Sequence, residues 1–234
     1  MRFPSRLLAA QIYFAGILWA AFYAVTTLIT ICIAIFGTLD RSVWEGATQV
    51  PRWFALFVGV ALVREFLPLY IAHGQTRRQF GAQAAVTVAL YAPVLSALLV
   101  VGYLLETLLY SVAGWTQELA RPHLFASPTQ VPLVFTEYLV EFLVWIVAGT
   151  FMGAAFYRWQ GGGLLSIPFG IGLVVLGEAA IGADLRLPFI SMPLGVVSTP
   201  TVLTALATGL GCFLLGLAMT WPIIRDVPLR NRLT

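Results

Sequence analysis

The chain has 234 residues, 60% of them hydrophobic and 10% charged, with a formal net charge of +3. Soluble domains carry about 25% charged residues, so this composition, with a mean hydropathy of +0.91, excludes a water-soluble globule and makes lipid the main solvent. All 13 Lys-plus-Arg positions are arginine, which excludes a Walker loop, whose lysine reaches the β- and γ-phosphates, and a Schiff-base lysine.

Crossing the hydrocarbon core takes about 20 apolar residues, and six stretches qualify as spans. The first covers residues 9–36. Its apolar run exceeds the ~7–15 residues of a signal-peptide core, so it reads as a retained helix. The second covers 51–72 and contains Arg64 and Glu65, and the third covers 79–105. Residues 106–130 read as an amphipathic outer segment, with Leu108, Leu109, Val112 and Trp115 at helical spacing. The fourth span covers 131–157, the fifth 164–181 and the sixth 200–224. Between the last two, residues 182–199 carry Pro188 and Pro193 and are expected at the membrane interface.

The fold class is therefore an all-α integral membrane protein, one domain of six transmembrane helices with both termini cytoplasmic. Arginine placement sets this orientation. Arg2, Arg6, Arg64, Arg77, Arg78, Arg158, Arg225, Arg230 and Arg232 fall inside, against Arg41, Arg52, Arg121 and Arg186 outside, as the positive-inside rule requires.

Metal and hydrolase chemistry find little support. Cys32 and Cys212 lie in separate apolar runs and read as small packing residues without metal spacing. His73 and His123 stand alone on opposite sides, too few for a multi-histidine metal site. Scattered arginines give no basic stripe for nucleic acid.

The stretch 64–80, REFLPLYIAHGQTRRQF, holds more polar residues than a simple inner turn needs. Gly74 suits a left-handed helix end and Thr76 an N-cap. Arg77 and Arg78 then occupy a first helical turn, where the macrodipole disfavours cations. They either anchor the inner end of the helix or dock a cytoplasmic partner. Arg64 and Glu65 are expected near the inner interface, since a charge deep in the bilayer costs about 2.5–3.5 kcal/mol on insertion scales.

A second group is acidic and lies on the outer side. Glu137 and Glu141 are one helical turn apart, Glu106 ends the third span, Glu178 lies near the end of the fifth, and Asp184 follows. These acids either form a vestibule for cationic substrates or pair with Arg121 and Arg186 and reach to water. Gly149 and Gly153 form a Gly-x-x-x-Gly face, and Ala205 and Gly209 repeat the spacing. Gly161–Gly163 mark a tight inner turn.

The sequence Gly74-x-Thr76-Arg77-Arg78-x-Phe80 resembles the link between the second and third spans of type 2 ATP-binding-cassette (ABC) exporter permeases, in the form seen in actinobacteria. Glu106 at the end of the third span, the Gly114–Trp115 pair and the Tyr157–Arg158 pair fit the same family. It departs in having only residues 1–8 for an initial amphipathic helix and in the Arg64–Glu65 pair. The resemblance implies a permease subunit that exports an amphipathic small molecule, peptide or lipid-like cargo. It implies a likeness in partners too: a second permease chain, forming a homodimer, and a cytoplasmic ATPase subunit docked through Arg64, Glu65, Gly74, Thr76, Arg77, Arg78 and Phe80. ATP and Mg would sit on that ATPase, with no cofactor on this chain, and the location would be the bacterial plasma membrane. The alternative is a non-transporting anchor or regulatory subunit.

Overall fold

The computed structural model describes residues 5–182, 185–187, 190–192 and 200–227. Eight helices occupy most of them: α1 (Ser5–Phe36), α2 (Val43–Ala47), α3 (Gln49–Arg64), α4 (Phe66–Ala72), α5 (Arg77–Ala113), α6 (Val131–Trp159), α7 (Ile167–Ala180) and α8 (Val202–Arg225). A 3₁₀ segment, Gln160–Ser166, joins α6 to α7. The exception to the helical expectation is a small antiparallel ribbon, β1 (Leu185–Leu187) with β2 (Ile190–Met192). It falls within the predicted interfacial segment 182–199, most of which, Asp184 included, lies outside the described residues, as do Arg2, Arg230 and Arg232.

Five helical stretches are long and apolar enough to cross a membrane: Gln11–Phe36, Val43–Ala72, Arg77–Ala113, Val131–Ala180 and Val202–Arg225. In such surroundings helices satisfy every backbone polar group internally. The 50-residue stretch Val131–Ala180 is a hairpin rather than one rod. Gly170 packs on Met152 and Gly177 on Val144, so α7 runs antiparallel to α6. The reversal occurs at Gln160, with φ 51, where Gly163 lies against the Phe156 backbone. This is the tight turn expected at Gly161–Gly163. At about 1.5 Å per residue, the 14 residues of α7 are shorter than a bilayer core of about 30 Å.

Helix α6 is the central pillar. It is apolar all round and buried over most of its length, as expected of a helix enclosed by others. On one side α3 runs parallel to it with backbones touching. A Cβ at Gly59 would lie 2.1 Å from the Ile146 carbonyl oxygen, and one at Gly149 would lie 2.0 Å from that of Leu56. Gly153 meets the Val60 backbone, so the Gly-x-x-x-Gly face expected from sequence is the α3 contact. On another side Gly209 and Gly216 of α8 receive Val140 and Val147. The α5 helix closes the bundle and α1 lies along it, Tyr91 and Tyr23 donating across to Gln11 O and Leu98 O. Much of α1 faces outward, Cys32 included. Its sulfur is therefore a surface group, whereas Cys212 is buried as read from sequence.

Two boundaries differ from the sequence reading. Residues 106–113, assigned to an outer amphipathic segment, continue α5 to Gly114, which caps it at φ 72. The second span begins earlier and is broken twice. Ser42 caps α2 through Glu45 N, and α3 stops at Arg64. Pro68 supplies the reason for the second break: it has no N–H to offer the Arg64 carbonyl four residues back, and its ring clashes there.

Candidate functional site

The chain gathers its chemistry at the two ends of the bundle. At the link end, α4 is set off from α3 at Glu65 and closed by a Schellman turn, with Gly74 N donating to Ile71 O (2.9 Å) and Gln75 N to Tyr70 O (3.0 Å). Gly74 takes φ 73, as its position predicts. Thr76 then caps α5 in a capping box with Gln79. Phe80 is fully buried and packs edge-on against Tyr70 at 5.4 Å, which fixes α4 to α5. Arg64, Glu65 and Arg78 are exposed at this end.

Arg77 and Arg78 have different surroundings. Arg77 Nη2 donates to Val227 O at 2.8 Å, just beyond α8. Arg158 Nη1 donates to Ile223 O at 3.1 Å, and its guanidinium lies 5.2 Å from the Trp159 ring centroid. Both cations therefore sit on the negative end of the α8 dipole, where the last carbonyls lack helical partners. That favourable placement offsets the position of Arg77 in the first turn of α5.

At the opposite end five buried carboxylates converge, Glu45, Glu106, Glu137, Glu141 and Glu178. Arg52, 5% exposed, donates to Glu141 through Nε (2.9 Å to Oε2) and Nη2 (2.8 Å to Oε1). Its Nη1 lies 3.6 Å from Glu178 Oε2, and Trp145 Nε1 donates to Glu178 Oε1 at 3.0 Å. This ion cluster ties α3, α6 and α7 together. Arg52, counted from sequence as an outer-side arginine, is thus an interior residue one turn into α3. Above it, the hydroxyls of Tyr103 and Tyr138 meet at 2.9 Å.

A second set of acids holds a strap, residues 115–130, across this end. Glu137 accepts from Leu124 N (2.7 Å) and bonds His123 Nδ1 at 2.6 Å. Glu45 accepts from Ala120 N (2.6 Å), and its other oxygen lies 3.4 Å from His123 Nε2 and 3.9 Å from Arg121 Nε. Burial alone would lower the His123 pKa, but the bonds to Glu137 and Glu45 outweigh it and raise the value from 6.5 to about 9. With a carboxylate at each ring nitrogen, His123 is an imidazolium at neutral pH. Glu106 accepts from Ser42 Oγ (2.6 Å), Trp44 N (2.7 Å) and Gln117 Nε2 (2.7 Å).

The four acids named from sequence, Glu106, Glu137, Glu141 and Glu178, therefore do share one end of the bundle, each buried on internal partners. Those partners are Arg52, His123 and neutral donors; Arg121 approaches only Glu45. Sequence reasoning missed Arg52, Glu45 and His123. The Ser42-x-x-Glu45 spacing is a helix-start signal that could have located α2. No sequence signal links residue 52 to residue 141 or His123 to Glu137. Among the described residues, no three or more His, Cys, Asp or Glu are placed to hold a metal ion. Compared with family models, curated proteins and solved structures, the chain matches none.

Proposed function

We propose that this chain is the membrane-spanning permease subunit of an ATP-driven exporter, with six crossings and both termini on the cytoplasmic side of a bacterial plasma membrane. The sixth crossing would be α7 with its preceding 3₁₀ segment. A second copy would complete the translocation path, and a cytoplasmic ABC ATPase would carry ATP and Mg. The cargo is amphipathic.

The observation that carries this reading is the built link at α4. A simple inner turn needs no separate helix broken from α3, closed by a Schellman turn and locked by Phe80 to α5. Such a piece suits a rigid docking element, with Arg64 and Arg78 exposed to a partner. A push on α4 would pass to α3, whose backbone is in contact with α6, and from there to the Arg52–Glu141–Glu178 cluster at the far end.

The test is affinity purification of the full chain from its native cells in mild detergent. Co-purification of a soluble subunit bearing a Walker lysine, weakened by Arg64→Ala with Arg78→Ala, is the expected result. Recovery of the chain alone, or with a partner that is not an ATPase, would overturn it in favour of a non-transporting anchor.

A further inference from the structure

Four of the five buried carboxylates face a cation: Glu141 and Glu178 face Arg52, and Glu45 and Glu137 face His123. Glu106 differs. It is 7% exposed, and its three hydrogen bonds all come from neutral donors. No basic side chain among the described residues forms an ion pair with it.

Glu106 also borders an open cavity. About 220 Å³ lie between α1, α2 and α5, lined by Tyr23, Thr26, Thr30, Trp44, Gly102 and Glu106 among others. Trp44 and Tyr23 form an aromatic wall, their centroids 5.4 Å apart. Gly102 makes room for the indole, since a Cβ there would lie 1.9 Å from the Trp44 ring. Thr26, 5% exposed, lines the same space, and its hydroxyl has no hydrogen-bond partner among the described residues. Thr30, by contrast, returns its hydroxyl to Thr26 O at 2.9 Å. A carboxylate without an ion pair, an unpartnered hydroxyl and aromatic faces form a set that suits an organic cation.

We propose that this cavity binds an ammonium group, primary or quaternary, at one end of an amphiphile. The volume is below the roughly 300–1,000 Å³ of sites that enclose a whole drug-sized ligand, so it takes a headgroup and leaves the tail outside. The neighbouring surface suits a tail: Leu105 and Leu108 beside Glu106, and Val25 and Leu28 beside Thr26, are exposed apolar residues. As a binding site the cavity stands by itself. Only its use as a cargo site rests on the permease reading.

The test is calorimetric titration of the full chain in lipid nanodiscs, with empty nanodiscs as the blank. The probes are tetramethylammonium, dodecyltrimethylammonium below its micellar concentration, and a neutral dodecyl glycoside. Saturable binding of the dodecyl cation, weakened at least tenfold by Glu106→Gln and about threefold by Thr26→Val, is expected. Thr27 lines the same cavity and is exposed, so Thr27→Phe, which puts a ring into that space and leaves the Glu106 bonds in place, should abolish binding and serves if Glu106→Gln does not fold. Binding of tetramethylammonium as well would identify a free small amine as a sufficient ligand; binding of the dodecyl cation alone would identify the amphiphile. Equal binding of the neutral glycoside, no saturable binding, or insensitivity to Thr27→Phe would overturn the proposal. No ATPase is present in this measurement, so its failure leaves the permease reading untouched, and failure to recover an ATPase partner leaves the cavity untouched.

Discussion

Arg52 and Glu141 meet side by side in the interior, two parallel N–H···O bonds of 2.9 and 2.8 Å joining α3 to α6. The geometry is the bidentate fork that a guanidinium makes with a carboxylate. Removing one partner from a buried pair strands the other charge and costs about 3–5 kcal/mol, whereas an apolar replacement of both is often close to neutral. Arg52→Met should therefore destabilise the protein by that amount. Arg52→Met with Glu141→Leu should recover part of the loss, because Glu141 is no longer stranded while Glu178 keeps only its bond from Trp145 Nε1. Thermal unfolding in one detergent of the wild type, Arg52→Met, Glu141→Leu and the double variant, run in parallel, checks this. A double variant as unstable as the sum of the two single variants would refute it.

How much of this was legible in the sequence follows from the range of each interaction. Local rules found Gly74 and Thr76, because a left-handed cap and a capping box are written within four residues. Hydropathy found the apolar stretches, and small-residue spacing found the Gly149–Gly153 face. The acids at positions 106, 137, 141 and 178 stood out because charge is costly in an apolar helix. Their partners did not stand out. Arg52 reaches Glu141 across 89 positions, and parallel packing of α3 on α6, which no periodicity encodes, sets that register. Residues 106–113 were misassigned because a polar Glu106 looks like a helix end, whereas Ser42, Trp44 N and Gln117 satisfy it inside the bundle.

The α3–α6 contact leaves no room for a methyl group at its centre. Gly59→Ala and Gly149→Ala place a Cβ 2.1 and 2.0 Å from a backbone oxygen, and backbone cannot swing aside as a side chain does. Each should lower stability by at least the ~1–3 kcal/mol typical of overpacking. Gly211→Ala meets nothing within 4 Å and should be neutral or stabilising by up to about 1 kcal/mol, since it removes backbone freedom from a helix interior. Unfolding midpoints of the three variants separate close approach from a general glycine effect. Equal midpoints would mean that the helices do not touch there.

The two adjacent arginines of the link should separate in their effects. Arg77 holds the Val227 carbonyl at the end of α8, so Arg77→Ala should cost about 1–2 kcal/mol of stability, within the range for a charged hydrogen bond at a helix C-terminus. Arg78 is exposed, and Arg78→Ala should leave stability within about 0.5 kcal/mol while weakening capture of the proposed ATPase. Unfolding and co-purification run on both variants distinguish the roles. Loss of capture with Arg77→Ala alone would assign docking to the wrong arginine.

The strap carries a pH dependence whose sign follows from His123. Its pKa is raised to about 9 in the folded protein against 6.5 for the free group. The ion pairs therefore contribute fully below about pH 6.5 and are lost as pH rises through about 9. The groups facing His123 are Glu45 from α2 and Glu137 from α6, with Arg121 on the strap itself approaching Glu45. A shift of this size corresponds to stabilisation on the order of 3 kcal/mol. Hydrogen exchange of the amides of Ala120 and Leu124, which donate to Glu45 and Glu137, reports the docking directly once corrected for intrinsic rates. Protection should be high and flat below about pH 6.5, fall between about pH 6.5 and 9, and level off above that. His123→Gln cannot carry the charge, so it should lower protection at neutral pH and remove the fall. A profile of the same shape in His123→Gln would place the titrating group elsewhere in the strap.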